Sequence, residues 1–326
     1  MRKFEINAND GGQRLDKFVQ KTVWGLPPSL MYKFIRTKRI KVNGKKSELS
    51  YRLAEGDTVE MYITDEFFGN KPSDGEYDRV KQDFDVLYED ENILLCVKKP
   101  GMLVHPGDEG ERGAKKIPER DTLLFQIKAY LNKKGEYDPA NENSFAPSLC
   151  NRIDRNTGGI VIAAKNAQSL RSMNEEIANG GVEKKYLCAV HGKMKSKHEI
   201  MKAYLFKDSK TKTVYVSDTS KPGSKTIVTE YAVLAYAPDN DLSLLEVTLH
   251  TGRTHQIRAH MAHIGHVLLG DGKYGVNKDD RRLGWDHQAL YSYHVSFKPT
   301  TEYFAYLEGR SFEADRSKIK FLKYFN

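Results

Sequence analysis

One carboxylate in the sequence is flanked by arginines in a turn-forming segment. Asp154 lies between Arg152 and Arg155, and Thr157-Gly158-Gly159 follows before an apolar run that predicts a buried strand. Reactive groups are often found in such loops on a rigid scaffold. The neighbouring guanidinium groups would favour the ionised form of Asp154. The alternative is a structural Arg–Asp pair that closes the turn, and it is the better interpretation of these residues alone.

Three further segments change this balance. Thr251-Gly252-Arg253 follows a predicted strand, and a helix is expected from about Thr254. Arg253 would then lie at the helix entrance, where its side chain can point into a cleft. Residues 98–106 form a Pro-Gly turn after a strand, and residues 184–190 form a strand with Tyr186 near its start.

Taken in order, the four segments resemble the motifs of the RluA-type pseudouridine synthases. These enzymes carry a Lys-Pro-x-Gly-like turn, an Arg-Leu-Asp-Arg-x-Thr-x-Gly motif, a Lys-x-Tyr-Leu strand and a Thr-Gly-Arg-x-His-Gln-Ile-Arg-x-His motif. The corresponding residues here are 99–101, 152–159, 184–187 and 251–260. The usual His, Leu and Ser are replaced by Asn151, Ile153 and Gly158, which affects the expected substrate details more than the expected activity.

The resemblance implies a role for each matching residue. Asp154 would be the essential carboxylate acting at the ribose, Arg253 would pair with it, and Tyr186 would assist removal of the C5 proton of the base. Substrate contacts are implied for Arg152, Arg155, Leu290 and His255. The reaction breaks the N1–C1′ bond of uridine and joins C5 to C1′. It consumes no electrons, phosphate or water, so no cofactor is expected.

A cluster of basic residues of one sign marks the N-terminal part of the chain. Seven basic residues and no acidic one lie between positions 33 and 46, namely Lys33, Arg36, Lys38, Arg39, Lys41, Lys45 and Lys46, here called the basic surface. Charge runs are usually solvated faces, but this one spans a predicted helix and hairpin without interspersed acids. We therefore expect it to bind phosphates, with Arg36, Lys38 and Arg39 contacting RNA.

The same region resembles a known RNA-binding module. Arg14-Leu15-Asp16, residues 35–44 and Gly56-Asp57 are similar to the small alpha-L RNA-binding domain found in a small-subunit ribosomal protein and in tyrosyl-tRNA synthetases. The order of helix, turn and hairpin is fairly specific to that module.

These observations predict an α+β protein with two domains. We expect an α/β RNA-binding domain at residues 1–66, a linker at 67–83 and a catalytic domain at 84–326. Strand and helix signals mix without regular βαβ alternation, which argues against a doubly wound parallel sheet. The resemblance implies a mixed, largely antiparallel sheet with flanking helices, the pseudouridine synthase fold. Helices are expected at about residues 122–132, 166–179 and 254–264.

Composition excludes several other classes of protein. The net charge of +8 favours a polyanionic partner. Three widely spaced cysteines indicate a reducing compartment, and no apolar run is long enough to span a membrane, so a cytoplasmic protein is expected.

Residues 270–275 fit GxGxxG but precede a poor helix start, so we interpret them as a loop. Five histidines between 250 and 266 lack metal-site spacing, and no metal is expected.

Two other functions remain open at this point. The chain could be a non-catalytic RNA-binding factor in ribosome assembly, although intact Asp154, Tyr186 and Arg253 argue against this. A nucleoside hydrolase would need a second catalytic carboxylate, and none is evident. The N-terminal domain favours large-subunit ribosomal RNA over tRNA by family analogy. The uridine modified cannot be read from the sequence, and a monomer is expected.

Overall fold

The N-terminal residues form two helices packed on a three-stranded antiparallel sheet. The computed structural model describes residues 1–68, 74–106, 119–208 and 213–325. The helices are α1 (Leu15–Thr22) and α2 (Pro28–Arg36), and the strands, in sheet order, are β1 (Arg2–Glu5), β3 (Thr58–Met61) and β2 (Ile40–Val42). Leu15, Phe18 and Val19 are buried, because their spacing brings them to one side of α1.

The Asn-Gly pair after β2 forms the tight turn that the sequence predicts. Asn43 and Gly44 have φ values of 52° and 71°. Both residue types tolerate positive φ, which two-residue hairpin turns require. The chain runs from α2 through β2 into this turn, so the residues of the basic surface lie on three consecutive elements.

A large sheet forms the rest of the described structure. Its strands are β4 (Phe84–Glu89), β5 (Ile93–Lys98), β6 (Ser148–Leu149), β7 (Gly158–Ala164), β8 (Val182–His191), β9 (His198–Lys207), β10 (Val214–Ser217), β11 (Lys225–Ala237), β12 (Leu242–Leu249), β13 (Leu290–Phe297) and β14 (Ser311–Glu313). The order is β10-β9-β11-β12-β8-β13-β7-β5-β4, with β14 on β13 and β6 on β7. Only the β13–β7 pair is parallel among the described strands. The predicted mixed, largely antiparallel sheet is confirmed.

Helices cover both faces of this sheet. They are α3 (Asp74–Asp78), α4 (Leu123–Lys133), α5 (Ala167–Asn179), α6 (Gln256–His263) and α7 (Lys278–Arg282). Leu94 and Cys96 of β5 pack with residues of α4 and α6. Ile93 and Leu95 instead pack with Met173 of α5 and with the C-terminal segment. This alternation follows from the two-residue period of a strand, and it separates the core into two layers.

The segment predicted to be a linker contains ordered structure in its second half. Helix α3 lies within residues 67–83, and Tyr77 is buried in the core layer of α4. Its ring lies 5.2 Å from that of Phe125 and 6.3 Å from that of Tyr137. Residues 69–73 of this segment lie outside the described residues. The domain boundaries themselves stay a prediction.

Strands β7 and β13 approach each other more closely than a side chain on β7 would allow. Gly159 is in register with Ser292, and its φ is 116°. A Cβ atom at Gly159 would lie 2.0 Å from the carbonyl oxygen of Ser292. This position therefore requires glycine for both its backbone conformation and its contact.

We predict that Gly159→Ala destabilises the protein much more than Gly223→Ala. Both residues have positive φ, which costs an alanine about 1 kcal/mol. Only Gly159 also faces a backbone clash, which adds roughly 1–3 kcal/mol, because no atom lies within 4 Å of a Cβ at Gly223. Urea denaturation of the two variants measures the difference, and equal losses would contradict the close β7–β13 contact.

Candidate active site

Asp154 lies in the loop between β6 and β7, on the sheet face covered by α4 and α6. The loop closes in a turn, since the backbone N–H of Thr157 donates to the carbonyl of Asp154 at 3.0 Å. The Asp154 side chain keeps 22% of its surface exposed. The carboxylate is therefore held in the structure but can still be reached from solvent.

A buried lysine fixes the Asp154 loop to the Pro-Gly turn. The Lys98 Nζ donates to the carbonyl oxygens of Arg155 at 2.8 Å and Met102 at 3.0 Å. The Gly101 N–H also donates to the Arg155 carbonyl, and Arg155 Nε donates back to the Gly101 carbonyl. Burial lowers the pKa of Lys98 to about 7, although the charge of Asp154 opposes this. Lys98 was not among the predicted site residues, and its signal in the sequence is a lysine that ends an otherwise apolar strand.

Arg258 connects Asp154 to a second, fully buried carboxylate. Its Nη1 donates to Asp154 Oδ2 at 2.9 Å. Its Nε and Nη2 donate to the two oxygens of Asp271 at 2.7 and 2.9 Å. The side chain of Asp271 has no exposed surface. One guanidinium therefore binds Asp271 in bidentate fashion through Nε and Nη2, while its Nη1 orients Asp154.

The buried charges of Arg258 and Asp271 stabilise each other, and the charge of Asp154 adds to the effect on Arg258. Burial disfavours the charged form of Arg258, but its hydrogen bonds to Asp271 and the charge of Asp154 raise its pKa. Burial likewise disfavours ionised Asp271, yet the Arg258 hydrogen bonds hold its pKa below the ordinary value. A cation and an anion that are buried together compensate each other.

The predicted pair of Arg253 with Asp154 is not present. Arg253 is exposed, and within the described part of the chain no hydrogen bond or ion pair joins its side chain to Asp154. Helix α6 begins at Gln256, two residues later than expected, and Gln256 Oε1 accepts the Arg253 N–H at 3.2 Å. Arg253 therefore lies in the turn before the helix, whereas Arg258 lies on the buried side of α6.

Tyr186 lies in the buried apolar cluster that also contains Ile153, the residue before Asp154. It belongs to the same buried cluster as Ile153, Ile257 and Leu290, so residues from three of the four motifs meet there. Burial raises the pKa of Tyr186 to about 12, and the charge of Asp154 acts in the same direction. The phenol is therefore protonated at neutral pH. Leu290 is buried at the start of β13, in register with Cys188 of β8.

His255 lies beside Asp154 as a neutral side chain. Its Nε2 is 3.9 Å from Asp154 Oδ1, and its Nδ1 is 2.8 Å from the hydroxyl of Tyr274. Burial lowers the pKa of His255 to about 4. Residue 255 has a left-handed backbone, with φ of 53°, immediately before α6 begins.

Residues 270–275 form a loop, as predicted, but they support the site. Asp271 and Tyr274 come from this loop, and the Arg258 guanidinium lies over the Tyr274 ring at 5.3 Å. Asp271 has no site signal of its own in the sequence apart from its short spacing from the helix. The other four histidines of this region have separate partners, Glu230, Thr229, Asp218 and the carbonyl of His191. Among the described residues no cluster suited to a metal is found.

The two arginines beside Asp154 point differently from Arg258. Both Arg152 and Arg155 are exposed. Arg155 is used in part for the contact with Gly101 described above. Both lie next to the carboxylate in the chain, so they remain candidates for contact with a polyanion.

The basic surface is exposed on the N-terminal domain. Six of its residues are exposed and Lys41 is half-buried. Arg39 packs over the Phe34 ring and Lys41 over the Tyr62 ring, at 4.8 and 5.1 Å. No ion pair joins any of these seven side chains to another described residue. Their charge is therefore uncompensated within the part of the chain that the structure shows.

Two family models match the chain. The model described as RNA pseudouridylate synthase matches residues 92–263, more than half of the chain, and the S4 domain model matches residues 13–59. The helices of the described residues are all too short or too polar to span a lipid bilayer.

Curated relatives match over most of their length. An uncharacterized RNA pseudouridine synthase of Mycoplasma genitalium is 30% identical over 97% of this chain and 96% of its own. Ribosomal large subunit pseudouridine synthase C of Buchnera aphidicola is 32% identical over 84% and 81%, and that of Escherichia coli 30% over 85% and 81%.

A solved structure shows the same fold. Human RNA pseudouridylate synthase domain containing 4 aligns with 77% of this chain and 95% of its own, with a TM-score of 0.54 and 18% identity. Together with the motif order and the Asp154 site, the matches establish that the chain belongs to the RNA pseudouridylate synthase family, with an N-terminal S4 domain.

Proposed function

We propose that Asp154 is the catalytic residue with which this enzyme isomerises uridine to pseudouridine in RNA. The observation that carries this proposal is the geometry of the Asp154 carboxylate. It is partly exposed, it is oriented by a buried Arg258–Asp271 pair, and it lies beside the apolar layer that contains Tyr186. A fixed carboxylate beside a sugar can promote cleavage of a glycosidic bond, as carboxylates do in glycoside hydrolysis.

The atoms of the reaction balance without a co-reactant. The N1–C1′ bond breaks, the uracil turns while it stays bound, and C5 joins C1′. The C5 proton leaves and N1 ends protonated, so the base gains and loses nothing overall. Asp154 acts at the ribose during cleavage and rejoining.

Tyr186 is assigned to contact with the base and to the C5 proton. Because its phenol is protonated at neutral pH, it does not act as a phenolate base. Its oxygen can accept the C5 proton only while its own proton passes on towards N1 of the uracil, which ends protonated, so Tyr186 is unchanged at the end of the reaction. Leu290 provides the apolar surface against which the uracil can turn.

Arg258 is a positioning residue in this proposal. It contacts Asp154 and not the reacting bond, and its link to Asp271 prevents it from following the substrate. Arg253 is exposed at the rim of the site and is assigned, with Arg152 and Arg155, to the RNA backbone or to the space that the base leaves. Removal of a base from its stack costs a few kcal/mol, which these contacts would offset.

Large-subunit ribosomal RNA is the proposed substrate. Two of the relatives described above are named as ribosomal large subunit pseudouridine synthases. The exposed, uncompensated basic surface of the S4 domain suits a large folded RNA, because many phosphates lie within its reach. We place the reaction in the cytoplasm and assign the enzyme as a monomer.

Tritium release from RNA labelled at uridine C5 tests the activity. We predict release by the wild type without added cofactor. In Asp154→Asn the rate falls at least about 1,000-fold, as expected when a reacting group is removed. RNA affinity stays unchanged, since the substitution keeps the shape of the side chain. Asp239→Asn, an exposed acid of the same domain, is the matched control and keeps full activity. Release by Asp154→Asn at the wild-type rate would contradict the assignment.

Charge reversal in the basic surface tests RNA binding. We predict that Arg36→Glu, Lys38→Glu and Arg39→Glu together weaken binding and flatten its salt dependence. Each phosphate contact contributes roughly 0.7–0.9 to the slope of log affinity against log salt concentration, so the slope should fall by about 2.

Binding titrations between low and moderate salt measure this slope. The control reverses Lys318, Lys320 and Lys323 in the C-terminal segment, which changes the net charge equally. An unchanged slope in the first variant, or an equal change in both, would contradict the placement of the RNA on the basic surface.

A further inference from the structure

The S4 domain contacts the catalytic domain through a cluster of directional hydrogen bonds. Its centre is Asp10, which lies before α1 and has no exposed surface. Asn143 Nδ2 donates to Asp10 Oδ2 at 2.7 Å, and the Ser144 hydroxyl donates to Asp10 Oδ1 at 2.6 Å. A buried carboxylate is costly unless hydrogen bonds satisfy it. Both of these short bonds come from the other domain, and a longer one comes from Gln13 Nε2 at 3.5 Å, so the burial of Asp10 and most of its hydrogen bonding depend on the same contact.

Three further hydrogen bonds join the same two segments of the chain. Gln13 Nε2 donates to the Ser144 hydroxyl at 2.7 Å. Asn143 Nδ2 also donates to the carbonyl of Glu5 at 2.7 Å, and Asn9 Nδ2 donates to Glu142 Oε1 at 2.7 Å. We call this set the Asp10 contact. Its residues are Glu5, Asn9, Asp10, Gln13, Glu142, Asn143, Ser144 and also Ala167, whose N–H donates to Asn9 Oδ1.

The S4 domain also completes the N-terminus of a catalytic-domain helix. The first N–H groups of a helix have no partner within the helix. In α5 the Asn166 side chain accepts the N–H of Ser169, and Asn9 Oδ1 of the S4 domain accepts the N–H of Ala167 at 3.0 Å. A side chain in one domain thus caps a helix in the other, which requires one orientation of the two.

The Asp10 contact leaves the RNA-binding residues free for RNA. No hydrogen bond described in it uses a residue of the basic surface, and within the described residues those side chains have no ion-pair partner. Domain interfaces that are small and polar permit relative motion by default. Directional bonds around a buried carboxylate counter that motion, because they are satisfied in only one arrangement.

We propose that the Asp10 contact determines substrate selection by holding the basic surface at a fixed position relative to Asp154. This proposal rests on the proposed function. An RNA that binds both domains must then present its target uridine at one distance from the element bound by the S4 domain. Asp10, Asn9 and Asn143 act through this geometry and are positioning residues that do not touch the reacting atoms.

The test compares two substrates with the full-length protein. One is a C5-tritiated transcript of unmodified large-subunit ribosomal RNA, in which the modified uridine is first mapped. The other is a short C5-tritiated stem-loop that contains the mapped uridine and is too small to reach the S4 domain. We expect Asp10→Ala to lower kcat/KM on the long RNA at least about tenfold, since two linked sites lose much of their joint affinity when their geometry relaxes. Its activity on the stem-loop stays at the wild-type level. Asp65→Ala, an exposed acid of the S4 domain, is the control and changes neither.

A reversed pair separates geometry from a general loss of folding. Asp10→Asn with Asn143→Asp exchanges donor and acceptor and should recover part of the activity on the long RNA, whereas Asp10→Asn alone should not. Recovery stays partial, because Asp at position 143 cannot donate to the Glu5 carbonyl. Hydrogen exchange of the Ala167 amide gives a second readout and should speed up in Asp10→Ala.

The outcomes are distinguishable. Equal losses on both RNAs, no loss on either, or an Ala167 amide whose protection does not change in Asp10→Ala would overturn the inference. Absence of tritium release by the wild type from either RNA would instead overturn the proposed function.

Discussion

Arg258 lies between two carboxylates, and the geometry of the active site depends on that one guanidinium. Burial of an isolated ion is costly, and a buried ion pair is not by itself a source of stability. The bidentate bond to Asp271 uses two of the five Arg258 N–H donors, and the Asp271 carboxylate also accepts the N–H of Lys273 at 3.0 Å. What this arrangement provides is orientation, since the Asp154 carboxylate accepts a hydrogen bond from a guanidinium that Asp271 holds in place.

The sheet brings the participants of this arrangement together from distant parts of the chain. Asp154 comes from the β6–β7 loop, Arg258 from α6 and Asp271 from the loop that follows. Strands β7, β13 and β8 are neighbours, so the loop before β7 lies beside Tyr186 of β8 and Leu290 of β13. Gly159 contributes to this strand arrangement, because only glycine lets β7 approach β13 so closely at this position. Rigid strands thus hold in place the loops in which Asp154 and Asp271 lie.

Much of this could be predicted from the sequence where the signal is local. Helices α4 and α5 follow the expected ranges within a residue or two, because their apolar spacing is clear. The motif order predicted the family, which the comparisons confirm, and Asp154 stays a predicted catalytic residue. The Arg253 pair was wrong because the motif contains two arginines, and only the start of α6 decides which one faces inward. Gln256 Oε1 accepts the N–H of Arg253 in the turn just before the helix.

Contacts between distant residues were beyond the sequence. Asp271 was interpreted as part of a loop, since nothing near it indicates a buried guanidinium partner. Lys98 was not singled out, because its acceptors are backbone carbonyls that any residue provides. The burial of Tyr77 and the contacts of Asp10 depend on how separate segments pack, for which a single sequence has no local pattern.

The most direct measurement is single-turnover tritium release by Arg258→Lys and Arg253→Lys side by side. Lysine keeps the charge but cannot bind Asp271 in bidentate fashion and reach Asp154 as well. Misplacement of a reacting group by about 1 Å can cost roughly 100-fold in rate. The account predicts a loss of that order for Arg258→Lys, with thermal unfolding confirming a folded protein, and a small effect for Arg253→Lys. A large loss in Arg253→Lys with full activity in Arg258→Lys would contradict it.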